Sequence, residues 1–288
     1  MNILLTGANG MLGKSIEYWI FKNFPNVKLY STDIKNLDIT NYEQLSIFFD
    51  NHPIDIVINC AAYANVDGCE QNPEIAYSVN AAAVGYLAKL TEKYSKKICH
   101  ISTDYVYAQI GENMPFTEES KLEPLSIYGK SKLLGEKKLM ENTDKYFILR
   151  TSWMFGFFGE NFLKWIYYSS SDKPLRLIVD SFGNPTYSIT LSEIIMKIIF
   201  TENYGIYNAS NFGYTNWYDF GKYILSSAGL TNHKIEKVQS AELKRPAQRP
   251  NYSVMNINKI IKTLNYTPPS WQEAVDSCVK ILKQKNEF

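Results

Sequence analysis

The sequence predicts an α/β fold, a doubly wound parallel sheet with a smaller C-terminal unit, and three observations carry that reading. Short apolar runs alternate with longer stretches of helical spacing through the first half, which is the pattern of βαβ units. The first run leads directly into a turn with glycines at 7, 10 and 13. After Arg150 the alternation stops, and a stretch rich in aromatics, Gly and Pro follows, including GFFGENF at 156–162 and DSFGNPT at 180–186.

Asn2 to Thr6 is the first strand, and Leu12, Ile16, Trp19 and Ile20 then share one face of the following helix. Val27 to Thr32 is the second strand and ends at Asp33, and Ile54 to Cys60 is the third. Pro73 opens a long alanine-rich helix at the first-turn position that proline tolerates. Lys97 to Ser102 is the fourth strand, with Thr103 at its C-terminal edge, and Tyr146 to Thr151 is the fifth. On this pattern residues 1–155, plus roughly 186–203, form a dinucleotide-binding domain. Residues 156–185 and 204–288 form the substrate-binding domain, which closes in a short solvated tail, KQKNEF.

The bulk numbers exclude several classes of function. Thirty basic and 29 acidic residues leave a net charge of +1, so neither nucleic acid nor a membrane surface is an expected partner. The opening apolar run is too short for a signal peptide or a membrane span, which points to a cytoplasmic protein. Four cysteines without a C-x-x-C pair read as reduced, buried residues, and three scattered histidines predict no metal site.

The glycine turn, TGANGMLGKS at 6–15, fits two fingerprints. Ending in Gly13-Lys14-Ser15 it resembles a relaxed phosphate loop of triphosphate enzymes, with LRLIVD at 175–180 as a loose magnesium-binding strand. Read from Gly7 it is a dinucleotide turn, in which Gly7, Asn9, Gly10, Met11, Leu12 and Gly13 cradle the pyrophosphate. The second reading demands an acidic residue at the end of the second strand for the adenosine ribose, and Asp33 stands there. Leu12 argues against the first, because it begins the apolar helix face where a triphosphate loop needs a small residue. The expected cofactor is NADPH or NADH: Asp33 repels a 2′-phosphate, whereas Lys35 offsets part of that repulsion.

Reducing a ketone requires a proton for the nascent alkoxide, and a tyrosine with pKa near 10 supplies it efficiently when a nearby ammonium lowers that value. A Y-x-x-x-K pair places the two groups on one helix face. The pattern occurs at Tyr18/Lys22, Tyr128/Lys132 and Tyr218/Lys222. Only Tyr128/Lys132, in IYGKSKLLGE, follows the strand that ends at Thr103, at the sheet edge where ligands of open α/β folds bind.

TGANGMLG, NCAAYANVD, STDYVY, YGKSKLLGE, RTSWMFG, DSFGNPT and RPNYS together resemble the dTDP-4-dehydrorhamnose reductase family, extended short-chain dehydrogenases/reductases with a Rossmann domain. The resemblance implies reduction of a nucleotide-linked 4-keto-6-deoxyhexose for dTDP-rhamnose and polysaccharide synthesis, by a monomer or homodimer. It implies a catalytic triad of Thr103, Tyr128 and Lys132, with Tyr128 as proton donor and Lys132 on the nicotinamide ribose. It places Ala61, Ala62 and Tyr63 beside the cofactor and Asp38 and Ile39 near its adenine. Asp104, Tyr105 and Trp153 would shape the hexose pocket, with Asn161 and Arg249 toward the nucleotide diphosphate. Two departures stand out: Ala108-Gln109 replaces the family's Asp-Gly after the STDYVY segment, and Ser15 and Ile189 replace acidic residues that bind magnesium in some members.

Three competing functions make distinct demands. A nucleotide-sugar 4,6-dehydratase needs Thr-Asp-Glu for its elimination, and Tyr105 stands where the Glu would be. A non-catalytic cofactor-binding subunit would take up NAD(P)H without oxidising it. A triphosphatase would lose activity with Lys14→Ala.

Overall fold

The computed structural model describes residues 1–108 and 114–286, so Gln109 and the last two residues of the tail lie outside the described residues. The first half runs β1 (Asn2–Thr6), α1 (Met11–Asn23), β2 (Lys28–Thr32), α2 (Tyr42–Asn51), β3 (Ile56–Asn59), α3 (Val66–Gln71), α4 (Pro73–Tyr77), α5 (Ala83–Lys93), β4 (Lys97–Thr103), α6 (Ile127–Met140) and β5 (Tyr146–Thr151). The second half adds β6 (Met154–Phe155), α7 (Phe162–Tyr167), β7 (Leu175–Ile178), β8 (Phe182–Gly183), β9 (Thr186–Tyr187), α8 (Ser188–Ile199), β10 (Gly205–Asn208), β11 (Thr215–Asn216), α9 (Trp217–Ala228), β12 (Ile235–Val238), α10 (Asn258–Leu264) and α11 (Trp271–Asn286).

One six-stranded sheet in the order β10-β5-β4-β3-β1-β2 organises the molecule, and every pairing in it is parallel. Because side chains alternate across a strand, Ile3 and Leu5 enter one core with Leu12 and Ile16 of α1 and Ile194 and Ile198 of α8. Leu4 between them enters the opposite core with Leu45 of α2 and Leu87 of α5. The sheet is therefore covered on both faces, as a parallel sheet must be. Its C-terminal strand edges carry Gly7, Asp33, Cys60 and Asp104, which gathers the candidate site residues at one rim.

Two details depart from the sequence pattern. The helix that opens at Pro73 is interrupted by a π-helical turn over Ser78–Ala82. There Gly135 of α6 comes so close that a Cβ would lie 2.1 Å from the Asn80 carbonyl oxygen, so the helices meet backbone to backbone. The sixth strand, β10, falls in the stretch expected to belong to the substrate unit, yet it pairs with β5. It covers the outer side of β5 and becomes the sheet's edge strand, a pairing that strand-by-strand reading does not see.

A separate aromatic core lies beyond the sheet, built from Phe155, Leu163, Ile166, Leu177, Phe220, Ile224, Trp271 and Val275 among others. It joins α7, α9 and α11 to the β7–β12 pair, and the segment 243–251 runs from there back over the sheet rim. Among the described residues no helix is long and apolar enough to cross a membrane.

Candidate active site

The glycine turn is shaped by backbone contact. Gly7 has φ +68°, and a Cβ there would lie 2.6 Å from the Ala61 nitrogen; a Cβ on Gly13 would lie 2.4 Å from the Gly7 oxygen. Gly10 caps α1 with no side-chain hydrogen bond, so the first-turn N–H groups around Met11 and Leu12 remain open to an anion. The Asn9 N–H donates to Asp33 Oδ2 at 3.1 Å and the Ile34 N–H to Oδ1 at 2.8 Å, which fixes the carboxylate at the mouth of the turn.

A cavity of about 670 Å³ opens here, lined by Gly7, Gly10, Asp33, Asp38, Ile39 and Ala61–Tyr63 among others. Asn59 and Asn80 hold its inner wall: Asn59 Oδ1 accepts the Ala61 N–H at 3.2 Å, and Asn80 accepts from the Tyr63 N–H at 2.8 Å. The uncapped helix end, the glycine cradle that a Cβ would fill and the carboxylate at the second strand fit a dinucleotide. The phosphate-loop alternative fits poorly. Lys14 is exposed, the buried Ser15 hydroxyl is hydrogen-bonded with Met11 O and Ser188 Oγ, and both Asp180 oxygens are bonded to Ser240.

Thr103 ends β4, and its hydroxyl meets Tyr128, donates to Asp104 Oδ1 at 3.0 Å and accepts from the Tyr105 N–H at 3.2 Å. Ser126 caps α6 by accepting the Gly129 N–H at 3.2 Å, and Gly129 lets this first turn rest on the Tyr105 carbonyl. Tyr128 is thereby set against Tyr105, ring centroids 5.8 Å apart and edge to face. Burial raises the Tyr128 phenol well above its usual range, against the Thr103 hydrogen bond, so the lowering expected from Lys132 is not found: that side chain turns to Ile101 O and His100. One turn on, Lys132 is 2% exposed and donates to Ile101 O at 2.6 Å, with His100 Nε2 at 3.3 Å. Burial lowers it to about 8, opposed by Glu136 and Cys60. Asp104 is 3% exposed with Oδ2 unpartnered among the described residues, and burial pushes its carboxyl up to about 7 against hydrogen bonds from Ser253 and Thr103.

A second cavity of about 470 Å³ is lined by Tyr105, Trp153, Trp217, Ser181, Arg245 and Arg249 among others. Trp153 sits at φ +41° and stacks on Trp217 with centroids 3.7 Å apart, against Gly183, where a Cβ would lie 2.6 Å from the indole. Arg249 reaches Asp67 through two hydrogen bonds, at 2.8 and 2.6 Å, and the Ala247 N–H donates to the same carboxylate. Those bonds hold the Asp67 carboxyl down to about 2. Asn161 does not line this cavity: it caps α7 and donates to Gly156 O at 2.8 Å. Sequence reasoning passed over Asn59, His100, Asp67, Trp217 and Arg245 as site residues, although Asn59 and Asp67 stand at the two ends of a quoted segment, NCAAYANVD.

The other two Y-x-x-x-K pairs lie elsewhere: Tyr18 packs edge-on against Phe157, and Tyr218 lies beneath the Lys237 ammonium. Among the described residues no group of three or more His, Cys, Asp or Glu is arranged to hold a metal.

The sequence matches the family described as RmlD substrate binding domain over residues 1–284. A dTDP-4-dehydrorhamnose reductase from Aggregatibacter actinomycetemcomitans is 34% identical over 286 residues, covering 95% of this chain and 96% of the relative. A solved dTDP-4-dehydrorhamnose reductase from Clostridium acetobutylicum superposes with a TM-score of 0.92 at 35% identity, covering 98% of this chain and 100% of that one. Another, from Bacillus anthracis in complex with NADP, also has a TM-score of 0.92 at 35% identity, covering 96% and 98%.

Proposed function

Because the chain belongs to the RmlD substrate binding domain family, we propose that it is an NAD(P)H-dependent oxidoreductase reducing dTDP-4-dehydro-L-rhamnose to dTDP-L-rhamnose for cell-surface polysaccharide. The observation that carries this reading is the meeting of Thr103 and Tyr128 at the strand edge, with Tyr105 joining them to the second cavity.

The cofactor, when bound, supplies the hydride. Tyr128 gives its phenolic proton to the carbonyl oxygen as that oxygen becomes an alkoxide, and burial keeps the phenol protonated until then. Thr103 hydrogen-bonds the same oxygen by turning its one hydroxyl proton to it from Asp104 Oδ1. Lys132, as an ammonium, would hold the nicotinamide ribose when the cofactor is bound. The stacked Trp153 and Trp217 present an apolar wall to the sugar, and Arg245 and Arg249 supply positive charge for the diphosphate. Dehydration is disfavoured because Tyr105 packs where an elimination base would stand, leaving Asp104 as the one carboxylate beside Thr103. A reducing, cytoplasmic setting suits Cys60, Cys69, Cys99 and Cys278, none of which is in a disulfide.

The residues lining the first cavity include Asp33, Asp38 and Glu74 and no Lys or Arg. A 2′-phosphate there meets carboxylates, and Lys35 is exposed and does not line the cavity, so NADH binds about tenfold tighter than NADPH. The test presents the protein with each nucleotide and a panel of nucleotide-linked 4-keto-6-deoxy sugars, following cofactor oxidation. Turnover of the dTDP-linked substrate supports the assignment. Cofactor binding without turnover of any sugar would identify a binding subunit instead.

A further inference from the structure

His100 lies in the middle of β4, wholly buried, between Asn59 of β3 and Lys132 of α6. The polarity of the contacts around it is fixed from outside. Asn59 Oδ1 accepts the Thr6 hydroxyl at 2.6 Å and the Ala61 backbone N–H at 3.2 Å. A backbone N–H can only donate, so the amide oxygen must face it and the amide nitrogen must face His100 Nδ1, 3.0 Å away. An amide N–H also only donates. Nδ1 is therefore an acceptor, and the proton of the neutral imidazole sits on Nε2.

Nε2–H points at Lys132 Nζ, 3.3 Å away. An ammonium has three donors and no lone pair, whereas a neutral amine can accept this proton while still donating to Ile101 O. From this chain of contacts we infer that His100 is a positioning residue that, through its Nε2–H, favours the neutral form of the Lys132 amine. The inference rests on the reductase reading above, in which Lys132 serves as an ammonium.

The other groups facing Lys132 leave this balance in place. Glu136, one turn along α6, favours the ammonium, but its carboxylate is engaged by Arg150 at 2.7 and 3.0 Å and by Ser102. Cys60 at the end of β3 is kept a neutral thiol, burial raising it to about 12. Burial drives His100 well below its ordinary value, with the Lys132 charge adding to the effect, so the imidazole stays uncharged through the neutral range. The same chain ends on Ala61, a wall residue of the first cavity, so cofactor seating and the charge of Lys132 share one hydrogen-bond path.

Two measurements test this. Long-range ¹⁵N spectra of protein labelled at histidine are expected to show His100 as the Nε2–H tautomer, without titration from pH 5 to 9. An Nδ1–H tautomer, or titration near 6.5, overturns the inference even if the enzyme turns over its sugar. The second is the pH profile of kcat/KM. His100→Asn keeps an acceptor for Asn59 and removes the donor to Lys132, so the alkaline limb moves up by roughly one pH unit. His100→Gln, which offers Lys132 a carbonyl, shifts it in the same direction. Folded, active variants with an unmoved limb refute the role. Absence of turnover in the wild-type protein, with the tautomer as expected, refutes the reductase reading instead.

Discussion

At the scale of the residue, function rests on ordinary side chains whose surroundings change their chemistry. Tyr128→Phe removes the donated proton and little else, so turnover falls by about 10³-fold or more while NADH affinity, read by fluorescence titration, stays within about twofold. Lys14→Ala is the matched control: its side chain is exposed, and the variant keeps most of its activity. Asp104 gives a pH prediction with a definite sign. Its carboxyl is raised from 3.8 to about 7 in the folded protein, so its contribution to stability is fully present below pH 3.8 and lost as pH rises through 7. Asp104→Asn resembles the protonated form, and urea unfolding at pH 5 and pH 8 is expected to show a smaller loss of stability in the variant than in the parent. The Y-x-x-x-K spacing and Asp33 were legible in the sequence because each is a local pattern on one element. The pairing of His100 with Lys132, 32 residues apart, was not, because nothing in strand periodicity says which helix crosses above a given strand position.

Elements hold these residues in place through close backbone approach. The dinucleotide turn depends on Gly7 in two ways, a left-handed φ and contact with Ala61, whereas Gly229 at the end of α9 has φ +77° and nothing within 4 Å of a Cβ. Gly229→Ala therefore meets backbone strain alone and costs about 1 kcal/mol, while Gly7→Ala adds a clash and costs about 2–4 kcal/mol by urea denaturation. Gly7→Ala is also expected to lose NADH binding, which Gly229→Ala keeps. The strands and the helices around Leu12 and Tyr128 were readable from apolar spacing, which is a property of each segment alone. The π turn at 78–82 was not, since it answers to Gly135 on another helix.

Over the whole molecule, the site is closed by a bond between parts of the chain 182 residues apart, Asp67 on α3 and Arg249 in the segment over the rim. Both side chains are partly solvated, so the pair contributes about 1 kcal/mol or less to stability, and its effect is on placement. Asp67→Asn is expected to raise KM for the nucleotide sugar about tenfold with NADH affinity unchanged, because it frees Arg249 and Ala247 from the cavity wall. Held below its unfolded value of 3.8, at about 2, the Asp67 carboxylate keeps its bonds at neutral pH and gives them up only as pH falls through that range. By itself the sequence determined the alternating α/β order, the glycine turn with its acidic partner, and three candidate tyrosine–lysine pairs, because spacing along one helix or strand fixes which side chains share a face. The order of elements also singled out Tyr128/Lys132 as the pair beside Thr103, whereas only the tertiary structure decided that 205–208 joins the sheet, that Asn161 turns inward, and that Arg249 answers to Asp67. Those outcomes depend on contacts between distant segments, whose partners exist only once the sheet has brought its C-terminal edges to one rim.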